Sequence, residues 1–352
     1  MKRMMLLTAT ILCVAIATLA APNKKEVNQL KQFLQATSAR GDANYIRLGI
    51  VINDPESWRG VVWNNNGNIT SIEWRDRELA GSLNVSNFTA LQRLDIARNG
   101  ITEVNISGCK SLQYVDVSRN HITNLQLKDC SSLTRLNCSR NRLSELSITG
   151  APQLNTLNCS NNLFVTFSVQ SAPRLEALYI QSCHLQQLDV DSCVNLRNLY
   201  CGYNQLTSLS LTGTLELRNL NIDNNRIKNL YIQDLTSLVS LVCSENNMSG
   251  LSLVNCNALM DLVCSYNDLT SINLDGTDKL SFVDCSYNDL STLDLSGQTM
   301  LQRLLCDNNQ LMTLDVSQCP NLIYINCRYN QITDLRTTGD YNLRMVAGEW
   351  NY

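Results

Sequence analysis

The sequence predicts a solenoid, one elongated coil of stacked repeats, and three observations predict it. Leucine recurs every 21 residues, at 91, 112, 133, 154, 175, 196, 217, 238, 259, 280, 301, 322 and 343, without a slip. Asparagine keeps the same frame from Asn99 to Asn330 at eleven of twelve places, with Cys183 as the exception. Most of the 15 cysteines keep it too. A fixed short period outranks chain length, which at 352 residues would alone suggest about two domains.

The chain opens with a basic start, Met1-Lys2-Arg3, an apolar run to Ala17, and Thr18-Leu19-Ala20. This is the three-part layout of a secretory signal over residues 1–20, with a retained anchor as the alternative because Lys24 and Lys25 follow. The run is short for a membrane span. The reading therefore expects an exported protein, secreted or at the cell surface with the periplasm as a further possibility, and no span after cleavage. Without Lys2 and Arg3 the chain has 26 basic and 31 acidic residues, about −5, which argues against a nucleic-acid partner.

Residues 21–68 read as an N-terminal cap. Val27, Leu30, Phe33 and Leu34 share one face of a helix over 25–37. An atypical coil follows from 69 to about 90. Trp58, Trp63 and Trp74 are expected to cover the apolar end that any terminal coil exposes.

Twelve full repeats then run from 91 to 342. With the recurrent leucine as position 1, position 4 is apolar throughout (Leu94, Val115, Leu136 to Ile325), as are most of positions 11, 14 and 16. The line L-x-x-L-x-[C/I/V]-x-x-N-x-[L/I] matches the leucine-rich-repeat signature. A single coil cannot bury its leucine face, so each apolar position must stack on its copy in the next coil. Positions 3 to 5 are expected to form short strands pairing in parallel on the concave face, about 4.8 Å apart. Positions 14 to 16 are expected to form short extended or irregular segments on the convex face of a right-handed coil. The asparagine at position 9 can both donate and accept, and so can satisfy loop backbone groups. Leu343, Val346 and Trp350 are expected to close the last coil as a C-terminal cap over 343–352.

Eight cysteines occupy position 6 (Cys138, Cys159, Cys201, Cys243, Cys264, Cys285, Cys306, Cys327), where other repeats carry Ile or Val. That exchange marks a small apolar core site and favours free buried thiols. Disulfides between rungs are the alternative, although parallel side chains aim badly for the bond. Five more cysteines fall at position 19, a turn by its neighbours, with Cys109 and Cys130 the pair most open to oxidation.

Strings such as Leu262-Val263-Cys264-Ser265-Tyr266-Asn267-Asp268-Leu269-Thr270 resemble the 21-residue cysteine-ladder repeats of the internalins and related bacterial surface proteins. The resemblance covers about residues 91–342 and implies a secreted or surface-displayed protein that binds a partner. The Trp58-Arg59-Gly60-Val61 stretch is similar to the N-terminal cap of plant-type leucine-rich-repeat proteins, without its cysteine pair.

Positions 3, 5, 7 and 8 are expected to point out of the core on the concave side. Position 8 reads Arg98, Arg119 and Arg140 early, then Tyr203, Tyr266, Tyr287 and Tyr329. Positions 3 and 5 add Tyr114, Tyr179, Tyr200, Phe282 and Tyr324. Tyrosine and arginine anchor many protein interfaces, so these twelve residues are the candidate partner-binding set. A protein partner is expected, with a glycan, or a periplasmic or envelope scaffold role, as alternatives; in the scaffold case the aromatics merely pack across strands. Truncating position 8 is expected to leave melting nearly unchanged. Charge is segregated: residues 91–153 are net +3 and residues 238–321 net −8. Only His121 and His184 are present, and no nucleophile, metal or phosphate-loop motif appears, so no enzyme and no cofactor is expected. The Asn-Asp pairs at 267–268 and 288–289 are a minor Ca²⁺ possibility.

Overall fold

The structure is a computed structural model describing residues 20–191, 193–337, 343, 345–349 and 351. The signal reading and Trp350 lie outside the described residues.

Positions 3 to 5 alternate out, in, out, which suits a short strand half-buried on one face. They form Arg93–Asp95, Tyr114–Asp116, Arg135–Asn137 and their successors to Tyr324–Asn326. Each pairs in parallel with the strand 21 residues on, Leu94 with Val115 and Leu178 with Leu199. Together with the N-terminal strands they make one continuous 15-stranded sheet. The described residues after 342 continue the frame. Met345–Ala347 pairs with Tyr324–Asn326, and the Asn351 amide donates to Cys327 O. The described residues 343, 345–349 and 351 are thus the opening of a further coil. Val346 sits 44% exposed on it rather than sealing the end.

At the other end β1 (Val61–Trp63) and β2 (Ile69–Glu73) form an antiparallel hairpin, and β2 starts the parallel ladder. Helix α1 (Lys24–Gln35) opens on Asn23, whose side chain accepts the Lys25 N–H. Its apolar stripe packs Phe33 against Trp74, ring centroids 6.1 Å apart. Trp58 and Trp74 are buried, and each indole donates to a backbone carbonyl, Val51 O and Arg59 O. The short helix α2 (Asn44–Leu48) is tied to the first coil by Arg47, which bridges Asp42 and Glu78.

Two ladders fix the coils. Leucines at positions 1 and 4 of the twelve full repeats are buried, none more than 2% exposed. Beside them the position 9 asparagines from Asn120 onward are also buried, Asn99 at the N-terminal end is half-buried, and each is wired to two coils. Asn267 Nδ2 donates to Cys243 O (3.2 Å) and Cys264 O (3.1 Å), while its Oδ1 accepts the Met248 N–H (3.1 Å). The same set recurs at Asn120, Asn141, Asn225 and Asn309. These amides are fully committed, which removes Asn267 and Asn288 from any Ca²⁺ site.

The opposite face cannot hold continuous pairing. Its strands associate in groups: Ala80–Asn84, Gly100–Asn105 and Asn124–Gln126; Thr166–Ser168 with Gln187–Asp189; Asn229–Gln233 with Gly250–Val254; Thr313–Asp315 with Asp334–Arg336. Between groups, segments 145–147, 208–210 and 292–294 carry no strand. Curvature accounts for this. When the inner sheet keeps the hydrogen-bonding spacing, the outer circumference is longer, and after two or three coils the outer strands part. The parted coils carry glycine at position 18 (Gly150, Gly213, Gly297). At Gly150 a Cβ would lie 2.3 Å from Leu127 O, so glycine lets this turn press on the coil before it. The parting leaves grooves of about 690 Å³ on this outer face, one lined by Thr123, Leu125, Leu146 and Thr149.

Candidate functional site

The sheet face is built by the loop that follows each strand. Position 5 is mostly Asp or Asn, and its side chain accepts the N–H of position 7, as Asp116 does from Ser118 and Asp284 from Ser286. The chain then turns sharply at position 8. All twelve position 8 residues have positive φ, from Arg98 (59°) through Tyr203 (56°) to Tyr329 (52°), although none is glycine. A left-handed residue disfavours β-branching, and the row contains only Arg, Asn, Ser, Tyr and Glu. The turn aims each position 8 side chain outward and returns position 9 to the core.

The structure places the twelve candidate residues as follows. Arg98, Arg119, Arg140, Tyr203, Tyr266, Tyr287 and Tyr329 form an exposed row along one rim of the sheet. Tyr114, Tyr179, Tyr200, Phe282 and Tyr324 are half-buried on the sheet itself. Position 7 departs from expectation: Ser118, Ser139, Ser160 and Ser286 are buried and donate to the position 5 side chain. Ser265, whose coil has Val263 at position 5, is buried against Ser244 Oγ (3.0 Å), and all five present little to a partner.

The aromatic residues pack along the coil axis. Tyr179 and Tyr200 stack at 5.1 Å between centroids, and Tyr266 and Tyr287 at 4.2 Å, nearly coplanar in both cases. The Arg93 guanidinium lies 4.1 Å from the Tyr114 centroid, and Arg303 sits between Phe282 (5.5 Å) and Tyr324 (5.7 Å). A ring stacked on its neighbour has one face covered, so it offers edges and hydroxyls rather than a free platform. The Tyr266 phenol is held above its ordinary value, first by its hydrogen bond with Tyr287, then by burial and by the nearby carboxylates of Asp307 and Asp284. The stacking also means that truncating Tyr266 and Tyr287 removes real packing, contrary to the expectation of unchanged melting.

The charges fall into blocks. In coils 91 to 133, positions 3, 5, 7 and 8 hold Arg93, Arg98, Arg119, Arg135 and Arg140 against Asp95 and Asp116, net +3. Both aspartates are buried and already bridged by Arg75. Coils 154 to 196 carry no charge at these positions. Coils 217 to 301 hold Asp223, Glu245, Asp261, Asp284 and Asp307 against Arg303, net −4. Burial, together with the charge of Glu245, raises Asp223 above the usual carboxylate range. Gly202 makes room for it, since a Cβ there would lie 2.1 Å from Asp223 Oδ1. The candidate set omitted these carboxylates and Arg93, Arg135 and Arg303. The repeat frame carried the signal, because reading positions 3, 5, 7 and 8 for charge rather than for rings alone finds them.

All 14 described cysteines are free and buried. Cys109 and Cys130 are the correction: they are not open to oxidation. Each lies behind the turn, fully buried, with its thiol donating to Val85 O (3.1 Å) or Ile106 O (3.2 Å) of the coil before. Burial pushes Cys109 up to about 12 and Cys130 up to about 11. Among the described residues no group of three or more His, Cys, Asp and Glu gathers as a metal site, and no helix is long and apolar enough to cross a membrane.

No protein-family model matches the sequence, and no curated protein matches it. Solved structures do. The functional domain of InlJ from Listeria monocytogenes, which includes a cysteine ladder, is 26% identical over 79% of this chain and 65% of that one, with a TM-score of 0.56. This chain is a leucine-rich-repeat protein, and it is internalin-like. YopM from Yersinia enterocolitica is 25% identical over 76% of this chain and 60% of its own, with a TM-score of 0.62. Internalin InlF from Listeria monocytogenes, at 19% identity and a TM-score of 0.54, shares the fold over 94% of this chain and 98% of its own. The leucine-rich-repeat protein described here spans less than two thirds of the first two structures.

Proposed function

We propose that this leucine-rich-repeat protein is exported by a bacterium and captures a protein partner, of host or cell-surface origin, on its sheet face. One observation carries the reading: the left-handed turn at position 8 puts seven Arg and Tyr side chains in a single exposed row beside a continuous sheet. This row lies outside the leucine and asparagine ladders, and Tyr and Arg are the residues that most often dominate interface energetics. The covered faces of the stacked tyrosines favour a protein over a glycan. The test is capture on arrayed extracellular proteins and glycans by the parent and two variants. Tyr203, Tyr266 and Tyr329 changed together to Ala should reduce capture at least tenfold. Asp294→Asn with Asp315→Asn, on the opposite face, should leave it unchanged. Equal loss in both variants would remove the sheet-face assignment, and no effect of either would favour a scaffold role, for which the axial ring stacks are the supporting observation. Cell fractionation tests export directly.

A further inference from the structure

We infer that the partner is a protein surface or segment of split charge, lying along the sheet face with its acidic part on coils 91 to 133 and its basic part on coils 217 to 301. The inference rests on the protein-capture reading above and specifies the partner.

The first support is that the two blocks are left uncompensated. Arg98, Arg119, Arg135 and Arg140 take part in no ion pair among the described residues, and neither do Asp223, Glu245, Asp261, Asp284 and Asp307. Elsewhere the chain does pair its charges: Arg75 with Asp95 and Asp116, Arg47 with Asp42 and Glu78, Arg197 with Glu176. The second support is that the arrangement works against folding. Arg98, Arg119 and Arg140 occupy the same position in consecutive coils, so their backbones repeat at about 4.8 Å. Like charges stacked across neighbouring strands destabilise a sheet, and alternating signs would stabilise it. The position 8 turn accepts Asn and Ser at Asn161 and Ser182, so the fold itself does not demand arginine. The third support is the order of the blocks. Three coils with no charge at positions 3, 5, 7 and 8, bearing Tyr179, Tyr200 and Tyr203, separate the basic block from the acidic one. A uniform polyanion or polycation would be attracted at one end and repelled at the other. Only a ligand carrying both signs, suitably spaced, is attracted along the whole face.

The spacing is set by the repeat. From the middle of the basic block (coil 112) to the middle of the acidic block (coil 259) is seven coils, about 34 Å. The gap that a spacer must cross runs from the last basic coil (133) to the first acidic coil (217), four coils or about 19 Å, which a polyproline spacer of six residues spans at about 3.1 Å per residue.

The test uses the intact protein and fluorescent synthetic peptides at low ionic strength, read by anisotropy. The probe is a block of six glutamates, six prolines and six lysines. It should bind at least tenfold more tightly than the same blocks on a sixteen-proline spacer, whose length of about 50 Å holds the two blocks too far apart to engage both sites at once. It should exceed all-glutamate and all-lysine peptides of equal charge number by a similar factor. Arg98→Glu with Arg119→Glu and Arg140→Glu should abolish the gain while leaving all-lysine binding intact or stronger, which also shows that the variant is folded. Affinity independent of spacer length overturns the inference. So does all-glutamate peptide, heparin or a DNA oligonucleotide binding as tightly as the block peptide, which would mark a simple anion site. Sedimentation showing that the protein pairs with a second copy of itself and thereby excludes the probe also overturns it. Any of these results can coexist with loss of capture in the tyrosine variant, so failure here is separable from failure of the protein-capture reading.

Discussion

Asn267→Ala probes how one coil holds the next. The asparagine is buried and makes four bonds, one accepted and three donated, and they are not equivalent. The three carbonyls that it serves each keep another donor: Cys243 O retains Asn246 Nδ2 (3.2 Å), Cys264 O retains Asn288 Nδ2 (3.1 Å), and Ser265 O retains the Glu245 N–H (3.0 Å). The Met248 N–H has Asn267 Oδ1 as its recorded acceptor, and Met248 is fully buried. Alanine therefore strands one buried donor, costing about 1–3 kcal/mol, and removes the two amide protons shared among three carbonyls, worth about 0.5–1.5 kcal/mol each before relaxation. A loss of about 2–4 kcal/mol is expected. Asn267→Asp sharpens the argument, because a carboxylate can still accept from Met248 but turns negative charge on two carbonyl oxygens. It should be worse than alanine at neutral pH and recover toward the parent near pH 4, where a protonated carboxyl can donate. The assay is urea unfolding followed in parallel by circular dichroism, which sees the whole sheet, and by fluorescence. Among the described tryptophans, Trp58, Trp63 and Trp74 all lie at the N-terminal end. Nearest-neighbour coupling of coils predicts that strong coupling keeps the two signals coincident in the parent and that a weakened rung separates them. A cost below about 1 kcal/mol for alanine, or an aspartate variant as stable as the parent at pH 7, would refute the wiring.

Other outcomes follow from the same geometry. Cys264→Ala should cost about 1 kcal/mol by urea titration, and thiol counting after denaturation without reductant should find most of the cysteines free; a count near zero would show disulfides instead. Arg119→Val should destabilise by about 1–2 kcal/mol, because a β-branched residue is forced into left-handed backbone, whereas Arg119→Asn should be neutral within error. A double-mutant cycle on Tyr266 and Tyr287 should return a coupling of about 0.5–1.5 kcal/mol for the stacked rings. Alkaline pH should unfold the protein: burial raises Cys109 to about 12 and Cys193 and Cys256 to about 11, while unfolded thiols ionise near about 8.5. A raised folded pKa leaves stability intact below the unfolded value and lost as pH climbs toward the folded one, so urea midpoints should be flat to about pH 8 and fall between about 9 and 12.

The inner half of the fold was legible because its determinants repeat at the period of the contacts. Leu94 packs on Val115 for the same reason that both are apolar, and a 21-residue frame reports that directly. Burial of Cys264 was legible from its exchange with Ile and Val. Burial of Cys109 was not, because Ala151, Thr214 and Gln298 share its position and read as a turn. The structure shows that small or hydrogen-bonding side chains all fit behind that turn: Thr214 Oγ1, for instance, donates to Leu211 O at 2.7 Å. Position 7 was misjudged for a related reason. A serine looks exposed by type, and only the bond from the position 5 side chain turns Ser118 inward.

The left-handed turn and the parted outer strands illustrate two further kinds of invisibility. Glycine usually announces positive φ, yet at position 8 all twelve residues adopt it without glycine, because the parallel ladder on either side and, in every coil but that of Ser182 and Cys183, the committed asparagine at position 9 overdetermine the backbone. What the sequence displayed there was an exclusion, the absence of Val, Ile, Thr and Pro from the row, rather than a preference. The outer gaps are different again, since no single repeat contains their cause. Each coil contributes a small wedge between inner and outer circumference, and the mismatch is relieved only after two or three coils, at the segments beginning near 145, 208 and 292. Glycine at position 18 accompanies these three gaps, but Gly108 holds the same position in a coil whose outer strand is paired on both sides, so its meaning depends on strain summed over neighbouring coils. The same separation of scales places function on the face. Stacking dictates positions 1, 4, 6, 9 and 11 one coil at a time, whereas charge blocks three and five coils long exceed anything that neighbour-to-neighbour packing requires, and so point to a ligand that spans them.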